Sequence, residues 1–395
     1  MNRPELSVVV VHHRGQEHLL ESLAALAASV VGPAFETLLV DNTAGQPMEE
    51  VLRRHSNVRR VVAGKNAGFA AGCRLGAEAA RAPLLVFVND DAAVLPDALA
   101  LLAAALSHAP ADVTAVAGRL VDSTGRKNDF SDGFLTFDGH AFQKDAGRPV
   151  ESLPVMMPGE ERLFACGGLM AVRKDAFLSS GGFDDDYFAY LEDVDFGWRQ
   201  WIFGHRIIAE PRAIARHRGG ATGEALGVFS RGFLFEKNAF ATAYKNFDAE
   251  YFRSFMPAVL AAFVARVSEM LATRNPGADE LKRDPYAETR RGSAFARRLF
   301  GIAGAAAPRV RVEDPLTIAH VRALLWIHRN HAPLAAARRR VQAGRRRPDS
   351  EIFARFPLRI VPTYPGDARF DSDFFREFLS GAPPLVRTEL SEIFT

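Results

Sequence analysis

The stretch LLVFVNDDAAVL, residues 84–95, decides the fold, because its apolar run ends abruptly in Asn89, Asp90 and Asp91. The run is short and has no alternating polar residues, as in a strand that is buried on both faces of a parallel sheet. Two adjacent carboxylates repel each other and resist joint ionisation unless a cation or several donors face them. We therefore expect this strand to end at a site that supplies such a partner.

The same rhythm of apolar runs and amphipathic segments extends on both sides of this strand. Strands are expected at 7–11, 37–40, 58–62, 84–88 and 113–117, and helices at 19–29, 48–55, 68–80 and 96–108. This alternation predicts a mostly parallel α/β sheet, which binds ligands at the carboxyl ends of its strands. Three of those ends are polar: HHR at 12–14, DNT at 41–43 and NDD at 89–91.

The segment NAGFAAGCRLG, residues 66–76, separates two kinds of nucleotide site. Gly68, Gly72 and Gly76 recur every four residues, which is not the G-x-G-x-x-G of a dinucleotide site. This spacing places the glycines on one helix face and predicts close packing of the helix on the sheet, with Asn66 as its N-cap. The sequence also contains no G-x-x-x-x-G-K-[ST] phosphate loop.

Composition and length favour a protein of one or two domains with a sizeable core. The chain has 395 residues, of which 48% are hydrophobic. Cys73 and Cys166 lie among small apolar residues, which suits reduced thiols better than a disulfide. There is no signal-peptide pattern at the start. The longest apolar stretch, 255–267, contains Pro257 and Arg266 and is shorter than the roughly 18–20 residues of a membrane span. We expect a cytoplasmic protein, either soluble or peripheral on the inner face of the cell membrane.

The net charge of +2 conceals an asymmetry along the chain. Residues 282–347 contain sixteen Lys or Arg and four Asp or Glu, so the rest of the protein is acidic. A basic region of this kind favours an anionic membrane surface as partner, and a homodimer interface or a set of solvated helix faces is the alternative. Nucleic acid is not expected as a partner, because no recognised binding motif accompanies the charge.

A second cluster of carboxylates lies in GGFDDDYFAYLEDVDFGWR, residues 181–199. Glu192, Asp193 and Asp195 begin a predicted helix, where acidic side chains are also ordinary first-turn residues. Asp195 and Arg199 have the spacing of an i,i+4 ion pair. Beside the earlier acidic cluster and the small residues of Gly167 and Gly168, the run has the composition of a site with a general base.

In this order, the motifs resemble those of the family 2 inverting glycosyltransferases, in particular the rhamnosyltransferase-like branch. The resemblance covers residues 6–220 and rests on SVVVVHHRG at 7–15, VDNTAG at 40–45, NAGFAAG at 66–72, VNDDAAVL at 88–95, the 181–199 segment and PRAIARHRGG at 211–220. It implies a glycosyltransferase A-type fold, with a Rossmann-like sheet and a helical C-terminal extension. The expected division is a catalytic domain at 1–224, a basic helical region at 225–347 and a tail at 348–395.

The resemblance also implies roles for single residues. Asp193 matches the catalytic base and Glu192 would orient the acceptor, while Asp91 and His217 would bind Mg²⁺ or Mn²⁺. The expected nucleotide-binding residues are His13, Arg14, Asp41, Asn66, Gly68, Arg74, Asn89 and Asp90. The residues expected beside the donor or acceptor sugar are Gly167, Gly168, Trp198 and Arg199.

The metal expectation also has a physical basis. A nucleoside diphosphate leaving group gains negative charge as the glycosidic bond breaks, and a divalent cation neutralises it. Asp90 and Asp91 offer the oxygen ligands that such cations prefer. The sequence departs from the family pattern at three positions: His13 and Asn89 replace the usual Asn and Asp, and Arg74 replaces a second Asn. The identity of the nucleotide therefore stays open.

The implied reaction moves a sugar from a nucleoside-diphosphate sugar to a hydroxyl of a glycan or lipid-linked acceptor, as in bacterial surface polysaccharide synthesis. Two alternatives belong to other classes. A nucleotidyltransferase that makes the sugar nucleotide should carry a Gly-rich, Lys-containing loop near the N-terminus, and residues 7–15 contain none. An inactive carbohydrate-binding scaffold would be expected to lose its acid pairs, and both are present.

Overall fold

The computed structural model describes residues 4–29, 32–219, 221–282 and 310–393. Its strands are β1 (Leu6–His12), β2 (Phe35–Asp41), β3 (Val58–Val62), β4 (Leu84–Asn89), β5 (Ala92–Val94), β6 (Val113–Asp122), β7 (Asn128–Phe130), β8 (Gly133–Leu135), β9 (Ala141–Gln143), β10 (Leu169–Arg173), β11 (Arg206–His217), β12 (Arg359–Ile360) and β13 (Val386–Arg387). All the strands expected before residue 118 are present.

The helices also follow the expected alternation. They are α1 (Gln16–Ala27), α2 (Glu49–Arg54), α3 (Gly68–Ala79), α4 (Ala98–His108), α5 (Lys174–Ser179), α6 (Glu192–Ile202), α7 (Ala221–Asn246), α8 (Ala249–Thr273), α9 (Pro315–Arg329), α10 (His331–Gly344), α11 (Asp349–Arg355), α12 (Asp373–Phe378) and α13 (Leu390–Ile393). Helix α7 is interrupted at Gly227, whose φ of 68° is not helical.

The central sheet has the order β3-β2-β1-β4-β10-β6-β11-β5, with β7 paired to β6. Strands β1 to β4 pair in parallel, and β6 pairs in parallel with β11. Strand β10 is antiparallel to both of its neighbours, β4 and β6, and β5 is antiparallel to β11. The expectation of a mostly parallel α/β sheet with a helical C-terminal extension is confirmed.

Alternate residues of β1 show why the strands read as continuous apolar runs. Val8 and Val10 belong to the core beneath α1 and α4, whereas Val9 and Val11 pack with α3 on the opposite face. All four are at most 8% exposed. Because both faces of the strand are covered, neither face needs polar side chains, and each buried Val contributes about 1.5–3 kcal/mol of hydrophobic free energy.

The glycines of α3 pack against this strand, as their spacing predicts. A Cβ on Gly72 would lie 2.6 Å from Cγ1 of Val11, and one on Gly76 would lie 2.3 Å from Cγ1 of Val9. Such distances are shorter than real carbon contacts, so larger residues would push the helix off the sheet. The predicted packing role of these glycines is confirmed.

The C-terminal extension shares its core with the sheet-bearing part. Phe247, directly after α7, and Phe353 of α11 both pack edge-on against Trp198 of α6. The expected boundary at 224/225 falls inside α7, which begins at Ala221. That division of the chain stays a prediction.

Helix α8 is, by length and composition alone, the one described helix that is long and apolar enough to cross a membrane. A core helix of a soluble protein can be equally long and apolar, and α8 contains an arginine that forms buried ion pairs. Its Arg266 is buried and bonds Asp367 at 2.6 Å and Asp138 at 2.8 Å. An arginine paired with two carboxylates from the body of the protein makes α8 a core helix of this fold.

The basic region expected at 282–347 lies partly at 283–309, outside the described residues. In its described part, Arg338 of α10 donates to the carbonyls of Tyr244 and Phe247 at 2.7 and 2.6 Å. Arg347 donates to the carbonyl of His205 at 3.0 Å. These guanidinium groups hold the extension to the body of the protein. A membrane or dimer role for the region stays a prediction.

Candidate active site

The polar strand ends lie together at one edge of the sheet. Strands β1, β2, β4, β6 and β11 run in the same direction, so His12, Asp41, Asn89 and His217 end at this edge. Strand β10 runs the opposite way and begins here. The backbone N–H of Asn89 donates to the carbonyl of Gly168 at 3.2 Å, which joins the two halves of the site.

His217 contacts Asp91, the other residue expected to bind metal. Nε2 of His217 lies 3.0 Å from Oδ1 of Asp91, and its Nδ1 lies 2.5 Å from Oδ2 of Asp129. Burial would lower the pKa of His217, but the hydrogen bonds with Asp129 and Asp91 outweigh it and raise that pKa to about 10. Positive charge is therefore strongly favoured between these two carboxylates. Sequence reasoning missed Asp129, because the three-residue strand β7 carries no motif.

Asp90 and Asp91 do not face a common cation, contrary to expectation. Asp90 turns toward β1, where its Oδ2 lies 2.6 Å from Nδ1 of the fully buried His12. The two adjacent acids thus have two different histidine partners. His12 was not among the expected site residues, although it stands in the first polar strand end.

Asp41 is buried at the end of β2 and its carboxylate is already engaged. Oδ1 accepts from the backbone N–H and the hydroxyl of Thr43 at 2.9 and 2.6 Å, and Oδ2 accepts from Nε of Arg60 at 2.9 Å. Burial would raise the pKa of Asp41, but these hydrogen bonds lower it. Arg60, which sequence reasoning did not single out, thus lies beside Asp41 where the nucleotide was expected to bind.

A hydrogen-bond network organises the expected nucleotide side between β1 and α3. Nδ1 of His13 lies 3.0 Å from the carbonyl of Asn42, and its Nε2 lies 3.2 Å from Nδ2 of Asn66. Oδ1 of Asn66 accepts from the N–H of Gly68 at 3.1 Å. Asn66 therefore bonds the first residue of α3, but the N-cap is Ala67, so the N-cap prediction for Asn66 is wrong. Asn42, a residue not expected, holds the loop before α3.

Two arginines of the expected nucleotide site lie on the surface. Arg14 is exposed in the loop after β1. Arg74 donates from Nε to Oδ1 of Asp185 at 3.0 Å and from Nη1 to Glu78 at 2.8 Å. The guanidinium of Arg74 thus joins α3 to the segment that precedes Glu192. It pairs with carboxylates, one of the two roles open to it from the sequence.

At the start of α6, Glu192 is buried and Asp193 is half-buried. Asp193 accepts from the N–H of Gly167 at 3.0 Å and from that of Val194 at 2.8 Å. Burial raises the pKa of Asp193 against the effect of these bonds, so burial rather than neighbouring charge is the cause. Burial, followed by the charge of Asp193, raises the pKa of Glu192 well above its ordinary value. Oε2 of Glu192 has no hydrogen-bond partner within the described ranges.

The turn before these carboxylates is strained. Phe188, Tyr190 and Leu191 have φ values of 65°, 70° and 64°, although none of them is glycine. Such conformations cost about 1–3 kcal/mol each and persist only where the surroundings enforce them. From the nucleotide side, the N–H of Ala70 donates to the carbonyl of Phe188 at 3.2 Å. A Cβ on Gly68 would lie 2.4 Å from the same oxygen, so only glycine allows this approach.

Trp198 and Arg199 do not lie where a sugar could reach them, which corrects the expectation for both. Trp198 is 0% exposed, and its Nε1 donates to Oδ1 of Asp349 at 3.1 Å. Arg199 is buried and bonds Asp195 at 2.8 Å, so the predicted i,i+4 pair is confirmed. The C-terminal extension covers Trp198, whereas Arg199 donates to the carbonyls of Ser180 and Gly182 at 2.7 and 2.6 Å.

Gly167 and Gly168 lie at a close approach between elements, and their expected place beside a sugar stays a prediction. A Cβ on Gly168 would lie 3.2 Å from Nδ2 of Asn89, and one on Gly167 would lie 3.0 Å from the ring of Phe69. The neighbouring Cys166 is a free thiol, as is Cys73.

Comparisons with known proteins agree with this geometry. Residues 7–179 match the family model described as glycosyl transferase family 2. Over 241 residues the chain is 28% identical to the N-acetylglucosaminyl-diphospho-decaprenol L-rhamnosyltransferase of two Mycobacterium tuberculosis strains. That match covers 55% of this chain and 78% of the relative.

Among solved structures, GalNAc-T7 with UDP, GalNAc and Mn²⁺ is 15% identical, with a TM-score of 0.48. That match covers 65% of this chain and half of the other one. The mannosyltransferase PcManGT from Pyrobaculum calidifontis, in complex with GDP-Man and Mn²⁺, is 16% identical, with a TM-score of 0.44 over 82% of this chain and 87% of that one.

The family match covers the strands whose ends carry His12, Asp41 and Asp91. The longer match to the rhamnosyltransferase supports the rhamnosyltransferase-like resemblance found in the motifs. Residues 7–179 of this chain therefore match the glycosyl transferase family 2 model, and the chain is similar to a rhamnosyltransferase.

Proposed function

We propose that the protein transfers a sugar, with inversion, from a nucleoside-diphosphate sugar to a hydroxyl of a glycan or lipid-linked acceptor. In this reaction the acceptor oxygen forms a bond to the anomeric carbon while the bond to the diphosphate breaks. The acceptor proton goes to Asp193, and the electron pair of the broken bond leaves with the diphosphate. Inversion requires the base and the leaving group to lie on opposite faces of the sugar.

The observation that carries this proposal is the short bridge between the two acidic clusters. The N–H of Gly167 donates to Asp193, and the carbonyl of the next residue, Gly168, accepts from Asn89. The bridge brings the proposed base next to the strand end with Asp91. Since neither glycine has a side chain, the two clusters can approach each other closely.

The two carboxylates suit different roles. Asp193 accepts two backbone N–H bonds, which favour its ionised form, so it is the better base. The pKa of Glu192 lies well above its ordinary value because of burial, which favours its protonated form. A protonated Glu192 donates a hydrogen bond, and that suits the orientation of an acceptor hydroxyl.

The residues at the end of β4 fit a divalent cation bound together with a diphosphate. Asp91 and His217 converge to 3.0 Å from separate strands and supply an oxygen and a nitrogen. Within the described ranges there is no group of three or more His, Cys, Asp or Glu with the geometry of a complete metal site. A cation held by two side chains and completed by phosphate oxygens is typical of Mg²⁺ and Mn²⁺. When bound, it neutralises charge on the departing diphosphate.

Asp129 completes this proposal as the residue that orients His217. The Asp129 carboxylate on Nδ1 fixes the ring with Nε2 facing Asp91, where a bound cation would take the place of the Nε2 proton. Asp90 takes a different part: paired with His12, it supports the strand end beneath the diphosphate.

The acceptor is proposed from the related rhamnosyltransferase, whose name specifies a sugar on a polyprenyl diphosphate. A peripheral attachment to the cell membrane would bring this enzyme to such an acceptor. The basic residues of 282–347 are the proposed contact, with a second copy of the chain as the alternative partner.

The test is a panel of UDP-, GDP- and dTDP-linked sugars, with release of the nucleoside diphosphate measured with and without a short-chain N-acetylglucosaminyl-diphospho-prenol. We expect slow hydrolysis of one donor alone and faster release with the acceptor, with the product anomer inverted by NMR. Pyrophosphorolysis of a sugar nucleotide would indicate a nucleotidyltransferase instead. Binding without turnover of any donor would indicate an inactive scaffold.

A further inference from the structure

A single amide of the C-terminal extension holds the strained turn that leads to Glu192. Nδ2 of Asn238, on α7, lies 3.1 Å from the carbonyl of Tyr187, 2.9 Å from that of Ala189 and 2.7 Å from that of Tyr190. Asn238 is 0% exposed. These carbonyls belong to the same short segment as the positive-φ residues Phe188, Tyr190 and Leu191, so the amide binds the backbone in a conformation that is unfavourable by itself.

The other end of the amide is fixed as well. Oδ1 of Asn238 accepts from Nζ of Lys237 at 2.6 Å, and the same ammonium donates to the carbonyl of Asp186. The Asn238 side chain therefore cannot rotate to exchange its oxygen and nitrogen without losing bonds at both ends. Its donors are directed at the turn by the helix that carries them.

Packing alone does not support the turn on this side. A cavity of about 120 Å³ adjoins Tyr187 and Asn238, between α7, α9 and α10. Because a cavity provides no van der Waals contacts, the hydrogen bonds of Asn238 carry more of the restraint there. On the nucleotide side, Gly68 and Ala70 contact the same turn at Phe188. The turn is thus held between the nucleotide side and the extension.

We infer that Asn238 is a positioning residue, which sets the carboxylates of Glu192 and Asp193 by holding residues 187–191 in their strained conformation. The inference rests on the proposed function, because it assigns Asn238 an effect through the proposed base. Asn238 lies in the C-terminal extension, outside the family 2 match at 7–179, so the extension would contribute to turnover.

The first experiment compares Asn238→Ala with the wild type, using the donor that is hydrolysed fastest in the panel and the prenol acceptor. We expect kcat to fall by roughly 10–100-fold, because small displacements of a reacting group have effects of that size. Donor affinity, measured by calorimetry, should stay within about twofold, since Asn238 contacts none of the proposed nucleotide residues. Asn238→Asp, which keeps the shape but loses both donors, should behave like Asn238→Ala if the alanine variant folds poorly.

Asn275→Ala is the matched control. Asn275 is also buried, donates to the carbonyl of Met270 at 2.9 Å and accepts from the N–H of Glu313 at 2.9 Å, away from the turn. It should lower the melting temperature like Asn238→Ala while leaving kcat unchanged. A similar loss of kcat in both variants would overturn the inference, because lost stability would then explain it.

A double mutant separates this inference from the proposed function. If Asn238 acts through Asp193, adding Asn238→Ala to Asp193→Asn should lower kcat little further, since the positioned base is already gone. If the fold-losses in kcat of the two single variants multiply in the double variant, the inference is overturned. An Asp193→Asn variant with normal kcat would instead overturn the choice of base, whatever Asn238→Ala does.

Discussion

Replacing Asp193 by Asn tests the proposed base most directly. The substitution keeps the size and shape of the side chain but removes the carboxylate that takes up the acceptor proton. General base catalysis contributes roughly 10²–10⁴-fold, or about 2.7–5.4 kcal/mol of activation free energy. We expect kcat for transfer to fall by that factor, while donor affinity stays nearly unchanged.

The structure also sets the cost to stability. Asp193 accepts N–H bonds at both oxygens, from Gly167 and Val194, whereas an amide has only one oxygen. One of these N–H groups would therefore face an NH₂, and an unsatisfied buried donor costs about 1–3 kcal/mol. Removing a buried acid whose pKa is raised partly offsets this cost. We expect a modest loss of melting temperature, too small to explain the loss of rate.

Single-turnover transfer and thermal melts on the same samples separate the two effects. Asp349→Asn is the matched control, because Asp349 is a buried acid whose pKa is raised to about 6 by burial and which accepts from the N–H of Asp248 at 2.6 Å. The control should melt lower and transfer sugar normally. The reasoning is refuted if Asp193→Asn behaves in the same way as this control.

Three further predictions concern the metal, the second carboxylate and the basic region. EDTA should weaken donor binding in calorimetry, and equal affinity with and without EDTA would exclude the metal role. Asp91→Ala should weaken donor binding more than Asp90→Ala, because Asp91, unlike Asp90, contacts His217. Since the pKa of Glu192 is raised in the fold, the stability tied to its protonated form is present below the unfolded pKa and lost as pH rises. Glu192→Gln should therefore gain stability relative to the wild type as pH rises above the unfolded pKa of Glu192, by at most about 1.4 kcal/mol per pH unit, and a stability difference that does not change with pH would contradict this. If residues 282–347 bind anionic vesicles, the binding should fall steeply as the salt concentration rises, because the screening length is about 8 Å at physiological ionic strength. Vesicle binding that does not depend on salt would favour the dimer interface.

The sequence alone determined the sheet and the edge at which the site lies. Strands covered on both faces must be apolar throughout, so runs such as 84–88 are legible without any long-range information. Parallel strands then bring their carboxyl ends to one edge, which is why the polar residues after β1, β2 and β4 were expected to meet. The spacing of Gly72 and Gly76 likewise reports a local requirement, the close approach of α3 to β1.

Only the tertiary structure decided which side chains pair within that edge. Asp90 bonds His12, 78 residues earlier, and His217 bonds Asp129, 88 residues earlier, so neither partner follows from local periodicity. The expectation that Asp90 and Asp91 bind one cation together assumed that both carboxylates point to the same place. Adjacent side chains at a strand end point in different directions, and each met a different histidine.

The sequence also did not predict that Trp198 is buried. A helical pattern shows that α6 has an apolar face, but it does not show what covers that face. Phe247 and Phe353, from the C-terminal extension, enclose the indole, and Asp349 accepts its N–H. An aromatic residue beside a catalytic motif is free to contact sugar only if no other part of the chain packs on it first, and long-range packing alone decides that.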